Sequence, residues 1–241
     1  DFYQLKTKSS VISVYADNFW PGFDWDKSSL RILFEKALNK QVVSVESIQL
    51  ADFYISSIFG KNIFRSDVDH LYKVLFLGER LSPIYSNFDL SLSMDLSDYG
   101  GNNIYCPLWF LSLIDYGLST NRSIRALTQQ INSNHSSLSC RQYKAIYVGS
   151  NDHPMRKTII NALNDCGIET SVFGNNYRPL ENKIIESRKY ILSICPENTW
   201  SPGYTTEKII DALIAGCIPI HWGYLDFSIF NKRCIYSIDF N

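Results

Sequence analysis

The chain has 241 residues, 45% of them apolar and 14% aromatic, enough for one large domain or two small ones with a real core. With 23 basic against 24 acidic side chains the formal net charge is −1, which offers nucleic acid no basic face. Its apolar runs fall far short of a membrane span.

Taken in chain order, Val11–Tyr15 reads as a short strand. Asp26 is expected to cap a helix reaching Leu38, with Leu30, Leu33, Phe34 and Leu38 on one face. Residues 42–45, 53–57, 74–77 and 90–94 are further strand candidates, and the apolar stretch 108–116 a helix candidate. Residues 117–143 turn polar and rich in Ser, Asn and Gln, which predicts a connector with one helix around 124–131. A second series starts at Lys144–Val148, followed by a helix Met155–Asp165 closed by Gly167. Then come a strand over 171–173, a helix over 180–186, a strand Tyr190–Cys195, a helix opened by Thr205-Thr206-Glu207-Lys208, a strand Ile218–Trp222, and a last strand over 234–238. Strand-helix alternation in both halves predicts an α/β protein of two Rossmann-like lobes with a cleft between them. The expected division is an N-terminal domain over 1–116, the connector 117–143, and a C-terminal domain over 144–241.

The chemistry concentrates in Glu197-Asn198-Thr199-Trp200-Ser201-Pro202-Gly203-Tyr204-Thr205-Thr206-Glu207-Lys208. This loop joins the carboxyl end of a strand to a helix N-terminus, the place where an open α/β sheet binds its ligand. Backbone amides and the helix dipole there favour an anion such as a diphosphate. Lys208 opposes that dipole, which makes it a candidate phosphate cation; Glu207 suits the dipole and can also hydrogen-bond a sugar hydroxyl. Glu197 and Asn198 read equally as satisfied loop residues or ligand contacts. Arg156, on the first turn after the loop Ser150-Asn151-Asp152-His153-Pro154, either clamps a diphosphate or pairs with a carboxylate such as Asp152. Glu79, after the strand over 74–77, is a candidate general base if desolvation raises its pKa, and otherwise pairs with Arg80 or solvent.

Other templates are missing. No phosphate-loop, dinucleotide-binding, zinc-protease or serine-hydrolase motif occurs. The D-x-D pairs at Asp24/Asp26 and Asp67/Asp69 follow no apolar strand, and Asp26 and Asp67 read as helix caps. The six cysteines have no C-x-x-C spacing, so buried free thiols are expected rather than a disulfide framework or a zinc site. His221, inside an apolar run, reads as a core histidine.

The stretch 189–223 resembles the signature of the α1,3/α1,4-fucosyltransferases, glycosyltransferase family 10. Its marks are a strand ending in Glu197-Asn198, then Tyr204-x-Thr206-Glu207-Lys208, a helix, the turn Ala215-Gly216, and Ile218-Pro219-Ile220 ending in Trp222-Gly223. Val148-Gly149-Ser150-Asn151 with Pro154-Met155-Arg156, and Gly78-Glu79 with Ser82-Pro83 and Asn87-Phe88-Asp89, resemble two further family segments in the same order. Asn18-Phe19-Trp20 is a weaker match.

The resemblance implies a GT-B architecture, GDP-fucose held mainly by the C-terminal lobe, inversion at the fucose anomeric carbon, and no cofactor or obligatory metal. On that mapping Arg156 and Lys208 bind the diphosphate, Glu207 contacts the fucose, Tyr204 and Asn198 line the donor pocket, and Glu79 is the base. The implied acceptor is an N-acetylglucosamine-containing glycan, with α1,3 linkage. Pro196 departs from the family's usual Phe, and Arg80-Leu81 from the residues usual after Gly-Glu. These departures keep open another nucleotide sugar, and the short C-terminus keeps open a non-catalytic carbohydrate- or nucleotide-sugar-binding remnant. Because the chain opens at Asp1 without a leader, a trimmed or mature piece is expected; because it ends soon after Asp239, either C-terminal residues are missing or the acceptor site is reduced. A cytoplasmic setting is expected, with peripheral membrane association, or a Golgi-lumen origin for a trimmed fragment, as alternatives. The sequons at Asn121 and Asn134 carry little weight.

Overall fold

The computed structural model describes residues 10–83, 87–117, 140–150 and 153–238. The chain divides into two compact units, Asp1–Ser119 and Thr120–Asn241. Each is built on one wholly parallel sheet, so each is a Rossmann-like α/β unit, as the alternation predicted.

The first unit contains β1 (Val11–Asp17), α1 (Ser29–Leu38), β2 (Gln41–Ser44), β3 (Phe53–Ser56), β4 (Tyr72–Phe76), β5 (Leu90–Ser93), β6 (Asn103–Tyr105) and α2 (Leu108–Asp115). Its six strands run in the order β2-β1-β3-β4-β5-β6. Ile12, Val14, Phe53, Ile55, Val74 and Phe76 alternate along the central strands and meet Leu30, Phe34 and Leu38 of α1 in the core. Asp26 does not cap α1. Asp24 caps a 3₁₀ turn over Trp25–Lys27, and Ser28 caps α1 by accepting from the Arg31 amide at 3.2 Å. The caps are local acceptors two or three residues ahead of an orphan amide, and Ser28 alone stands at that offset from α1's first turn. Nor is Asp67 a cap: it sits within the 3₁₀ turn Ser66–Val68 and pairs with Arg65 at 2.7 Å. Strict strand-helix alternation fails in this unit, since β3 reaches β4 through that 3₁₀ turn rather than an α-helix.

The second unit contains β7 (Gln142–Val148), α3 (Pro154–Asp165), β8 (Thr170–Phe173), α4 (Lys183–Ser187), β9 (Tyr190–Pro196), α5 (Lys208–Ala215), β10 (Ile218–Trp222) and β11 (Tyr236–Ser237), with strand order β11-β10-β9-β7-β8. β7 starts at Gln142, inside the stretch read as connector; the expected helix at 124–131 and both sequons lie outside the described residues. α3 starts at Pro154 behind His153, whose Nδ1 accepts from the Met155 amide at 3.3 Å. α5 is apolar on most faces and buries Ile209, Ile210, Ala212, Ile214 and Ala215. It ends at Gly216 in the left-handed region (φ 76°), with the Cys217 amide returning to the Ala212 carbonyl at 2.9 Å. Buried Arg141 closes the same end, donating to the Gly216 carbonyl at 2.6 Å and the Ala215 carbonyl at 3.1 Å. All six cysteines are free; Cys106, Cys195 and Cys217 are buried, while Cys140, Cys166 and Cys234 are exposed.

Candidate functional site

Because β7, β9 and β10 are parallel neighbours, their carboxyl ends share one edge of the second sheet. The loops leaving that edge carry most of the residues singled out above. β9 ends at Pro196, and the next residue, Glu197, keeps the ladder going through its amide to the Trp222 carbonyl at 2.8 Å. The Glu197 side chain then turns into the protein and is fully buried, with 0% exposure.

That carboxylate is the centre of the site. It accepts from the Thr206 amide at 2.7 Å and the Thr206 hydroxyl at 2.7 Å, and from the Lys208 ammonium at 3.3 Å. The His221 ring, also fully buried, stands with Nε2 3.8 Å from Oε1, beyond hydrogen-bond length. Burial pushes the Glu197 carboxyl up, but His221, Lys208 and the two Thr206 bonds together outweigh it and hold the group below its usual range, ionised. Gly223 leaves the room this arrangement needs: a Cβ there would lie 2.7 Å from Glu197 Cγ and 3.1 Å from His221 Cε1, at a φ of 144° that L residues rarely adopt.

Lys208 opens α5, and its ammonium turns back over the loop, 2.7 Å from the Thr206 hydroxyl and 3.6 Å from Glu207 Oε1. Glu207 occupies the helix N-cap with its side chain about two-fifths exposed (40%) and forming no cap bond. Arg156 is buried in the first turn of α3, over the Tyr147 ring at 5.7 Å, and donates to Asn198 Oδ1 at 2.6 Å. The pairing with Asp152 weighed from the sequence falls outside the described residues. Tyr204 is packed inside, its amide closing a turn onto the Ser201 carbonyl at 3.0 Å. Lys183 pairs with the nearly buried Asp211 of α5 at 2.8 Å. Burial presses the Lys183 ammonium down, and the carboxylates of Asp211 and Glu207 more than offset it, raising it above its ordinary value.

The structure thus brings Arg156, Asn198, Tyr204, Glu207 and Lys208 to one sheet edge. Lys208, partly exposed, opens the eight-residue α5, and buried Arg156 reaches Asn198 in the loop that leads to that helix; cations so placed suit a polyanion such as a diphosphate. Glu79 belongs to the first unit. It lies exposed in the loop leaving β4, on the carboxyl edge of that sheet. Among the described residues no cluster of three or more His, Cys, Asp or Glu is arranged to hold a metal ion, and no helix is long and apolar enough to cross a membrane.

Sequence reasoning left Glu197 undecided and took His221 as core. His221 is core by burial, yet it walls the Glu197 carboxylate. The available signal was the buried context: a Glu directly after an apolar strand needs partners, and Thr206, Lys208 and Gly223 were all in view.

No family-wide profile matches the chain. An alpha-(1,3)-fucosyltransferase of Helicobacter pylori is 29% identical over 179 residues, covering 63% of this chain and 37% of that protein. A protein of Acanthamoeba polyphaga mimivirus, provisionally named a fucosyltransferase, is 27% identical over 98% of this chain and 39% of its own length. The chain therefore spans under two-fifths of either relative. Among solved structures, an alpha1,3-fucosyltransferase with GDP-fucose superposes at a TM-score of 0.71 with 22% identity, covering 96% of this chain and 74% of that one. The same kind of enzyme with GDP superposes at 0.72 with 21% identity. The fold is the α/β fold of those structures, and the resemblance drawn from the signature is matched by relatives named as fucosyltransferases.

Proposed function

We propose that this chain carries the donor site of an inverting, metal-independent fucosyltransferase that moves L-fucose from GDP-fucose to a hydroxyl of an N-acetylglucosamine-containing glycan, in α1,3 linkage. The observation that carries the reading is that the loop leaving β9 at the carboxyl edge of the second sheet meets two cations: Arg156 bonded to its Asn198, and Lys208 where it enters α5. The names of the relatives point to the fucosyl group, and a neighbouring structure holds GDP-fucose.

In the reaction, the acceptor oxygen forms its bond to fucose C1 on the face opposite GDP as the bond from C1 to the phosphate oxygen breaks. The departing GDP takes the electron pair, so charge grows on the diphosphate, where Arg156, Lys208 and the α5 amides are placed to stabilise it. Glu207, half-exposed beside Lys208, is suited to a positively charged sugar ring or its hydroxyls, the logic by which carboxylates serve glycoside cleavage. Asn198 fixes the Arg156 fork, and Tyr204 supports the loop from within. Glu79 takes the hydroxyl proton in this scheme.

The test is calorimetric titration of GDP and GDP-fucose, with chelator present, into the parent protein and Lys208→Ala. Both ligands should bind the parent, and the variant should bind about 10- to 100-fold more weakly, the worth of one charge-assisted contact. Equal affinity in both proteins removes Lys208 from the donor site. A second reading, a different nucleotide sugar, is favoured by Pro196, buried at the end of β9 where the family pattern has Phe. A donor panel in which GDP-fucose is not preferred selects it, and detectable sugar transfer rules out a binding remnant.

A further inference from the structure

Four residues of the C-terminal signature converge on one atom group, the Glu197 carboxylate, although they are spread over 18 positions from 206 to 223. Thr206 gives it a backbone and a side-chain donor, Lys208 an ammonium, His221 a buried ring, and Gly223 the space it occupies. We infer that Glu197 is a positioning residue of the donor site: it touches no substrate, and it holds the Tyr204–Lys208 turn and the Lys208 ammonium in the geometry that receives the diphosphate. This rests on the donor reading above.

The physical argument is one of expense without local need. A loop of this length can be closed by neutral side chains, whereas a fully buried carboxylate carries a heavy desolvation penalty that only good partners offset. Lys208 is itself in the turn where the helix dipole disfavours a cation. Burying an anion to hold a cation in the wrong place for helix stability makes sense if that cation is wanted at the sheet edge. The Thr206 amide is one of the donors ahead of α5 that lack a helical acceptor, and Glu197 takes it from nine residues away, so the carboxylate sets the entry of the helix as well. The ammonium is tethered on its inner side by Glu197 and Thr206 and keeps 19% of its side-chain surface open, which leaves it a direction in which to meet an anion.

The experiment compares GDP affinity by calorimetry, and amide hydrogen exchange at Thr206, in the parent, Glu197→Gln, Thr206→Val and Thr206→Ser. Glu197→Gln keeps the shape and removes the charge. It should lose protection at the Thr206 amide and bind GDP about tenfold more weakly, raising the KM for GDP-fucose more than it lowers kcat. Thr206→Val keeps the amide bond and removes both hydroxyl bonds, the one donated to Glu197 and the one accepted from Lys208, and should weaken GDP binding by a smaller factor; Thr206→Ser, which keeps the hydroxyl, should restore it. A purely structural carboxylate would lower the melting temperature and leave GDP affinity of the folded protein unchanged. If Glu197→Gln does not fold, the Thr206 pair decides. A parent that binds GDP with folded variants that bind equally well overturns this inference alone; a parent that binds no GDP overturns the donor reading and this inference with it.

Discussion

The two sheets each organise their carboxyl edge around one buried polar side chain, and the two hubs are opposite in kind. In the first unit it is Asn18, directly after β1, with a left-handed backbone (φ 57°). Its amide nitrogen lies 3.2 Å from Tyr54 Oη, 2.9 Å from Ser56 Oγ and 3.2 Å from the Asn62 carbonyl. In the second unit it is Glu197, directly after β9. Each is paired with a glycine that yields the space: a Cβ at Gly60 would fall 1.8 Å from Asn18 Oδ1, and one at Gly223 would fall 2.7 Å from Glu197 Cγ. A neutral amide can be buried with hydrogen bonds alone. A carboxylate needs a cation as well, and that requirement brings Lys208 to the edge. The neutral hub therefore only shapes its loops, while the charged hub also delivers a charge to the surface.

The sharpest test of that contrast uses the space beside each hub. Gly223→Ala meets the Glu197 stem and a forbidden φ together, and should destabilise the protein by about 3 kcal/mol or more. Asn18→Ala forfeits the bonds of a neutral amide and should destabilise by about 2–3 kcal/mol. Urea unfolding checks both. Of the two, only Gly223→Ala should also weaken GDP binding in whatever fraction remains folded. A loss of GDP affinity in Asn18→Ala as large as in Gly223→Ala would erase the distinction between the hubs.

Acid gives a smaller effect with a definite sign. The folded-state pKa of Glu197 lies below the ordinary value of 4.5, so its ionised form contributes stability above that value and loses it as the pH falls through the depressed folded value. Unfolding free energies of the parent and Glu197→Gln should differ at pH 6–7 by about 1–3 kcal/mol and converge as the pH drops below about 4.5. Asp24, Asp67, Asp95 and Asp226 are also held low, but they titrate alike in both proteins and cancel in the difference. The parallel pair, parent against Asn18→Ala, should show a gap that does not close over the same range, because Asn18 has no proton to gain. A gap that stays constant for Glu197→Gln would mean the carboxylate is not held ionised.

Legibility in the sequence followed interaction range. Strands with apolar alternation, such as β3, β4, β9 and β10, were visible within a residue or two, as were helix ends marked by Pro154, Gly167 and Gly216. β6 escaped because it is three residues long and its inward side chain is Asn103, held by polar contacts to Ser93 Oγ, the Asp95 carbonyl and the Ser97 carbonyl rather than by apolar packing. Arg141 looked like part of a polar connector, yet it caps a helix 74 residues downstream. The gathering of Asn198, Tyr204, Glu207 and Lys208 at one edge was legible because their loop is continuous in sequence and follows a strand. What stayed hidden was the inside of that loop. Composition and spacing place Glu197 at a strand's end, but they do not say that its side chain turns inward, because that depends on His221 and Gly223 arriving from the next strand.

The smallest expected effect lies with the thiols, and it reports on the two units separately. Burial pushes Cys106 in the first unit to about 12 and Cys195 in the second to about 12, with Cys217 at about 11. At pH 8 a thiol near 12 is thiolate in on the order of one molecule in ten thousand, so alkylation waits for the protein to open. Iodoacetamide should label the exposed Cys140, Cys166 and Cys234 first and leave the other three. Cys195 lies under the charged hub, its Sγ 3.4 Å from the Lys208 carbonyl, whereas Cys106 packs among Leu92, Leu111 and other apolar neighbours of the first core. Glu197→Gln should therefore speed labelling of Cys195 several-fold and leave Cys106 unchanged, with peptide mass spectrometry over time as the readout. Equal acceleration at both sites would mean that the substitution loosens the whole chain, and Glu197 would lose its standing as a local organiser. Acceleration confined to Cys195 would place the opening at the start of α5, where the carboxylate, the Thr206 amide and the Lys208 ammonium are tied together.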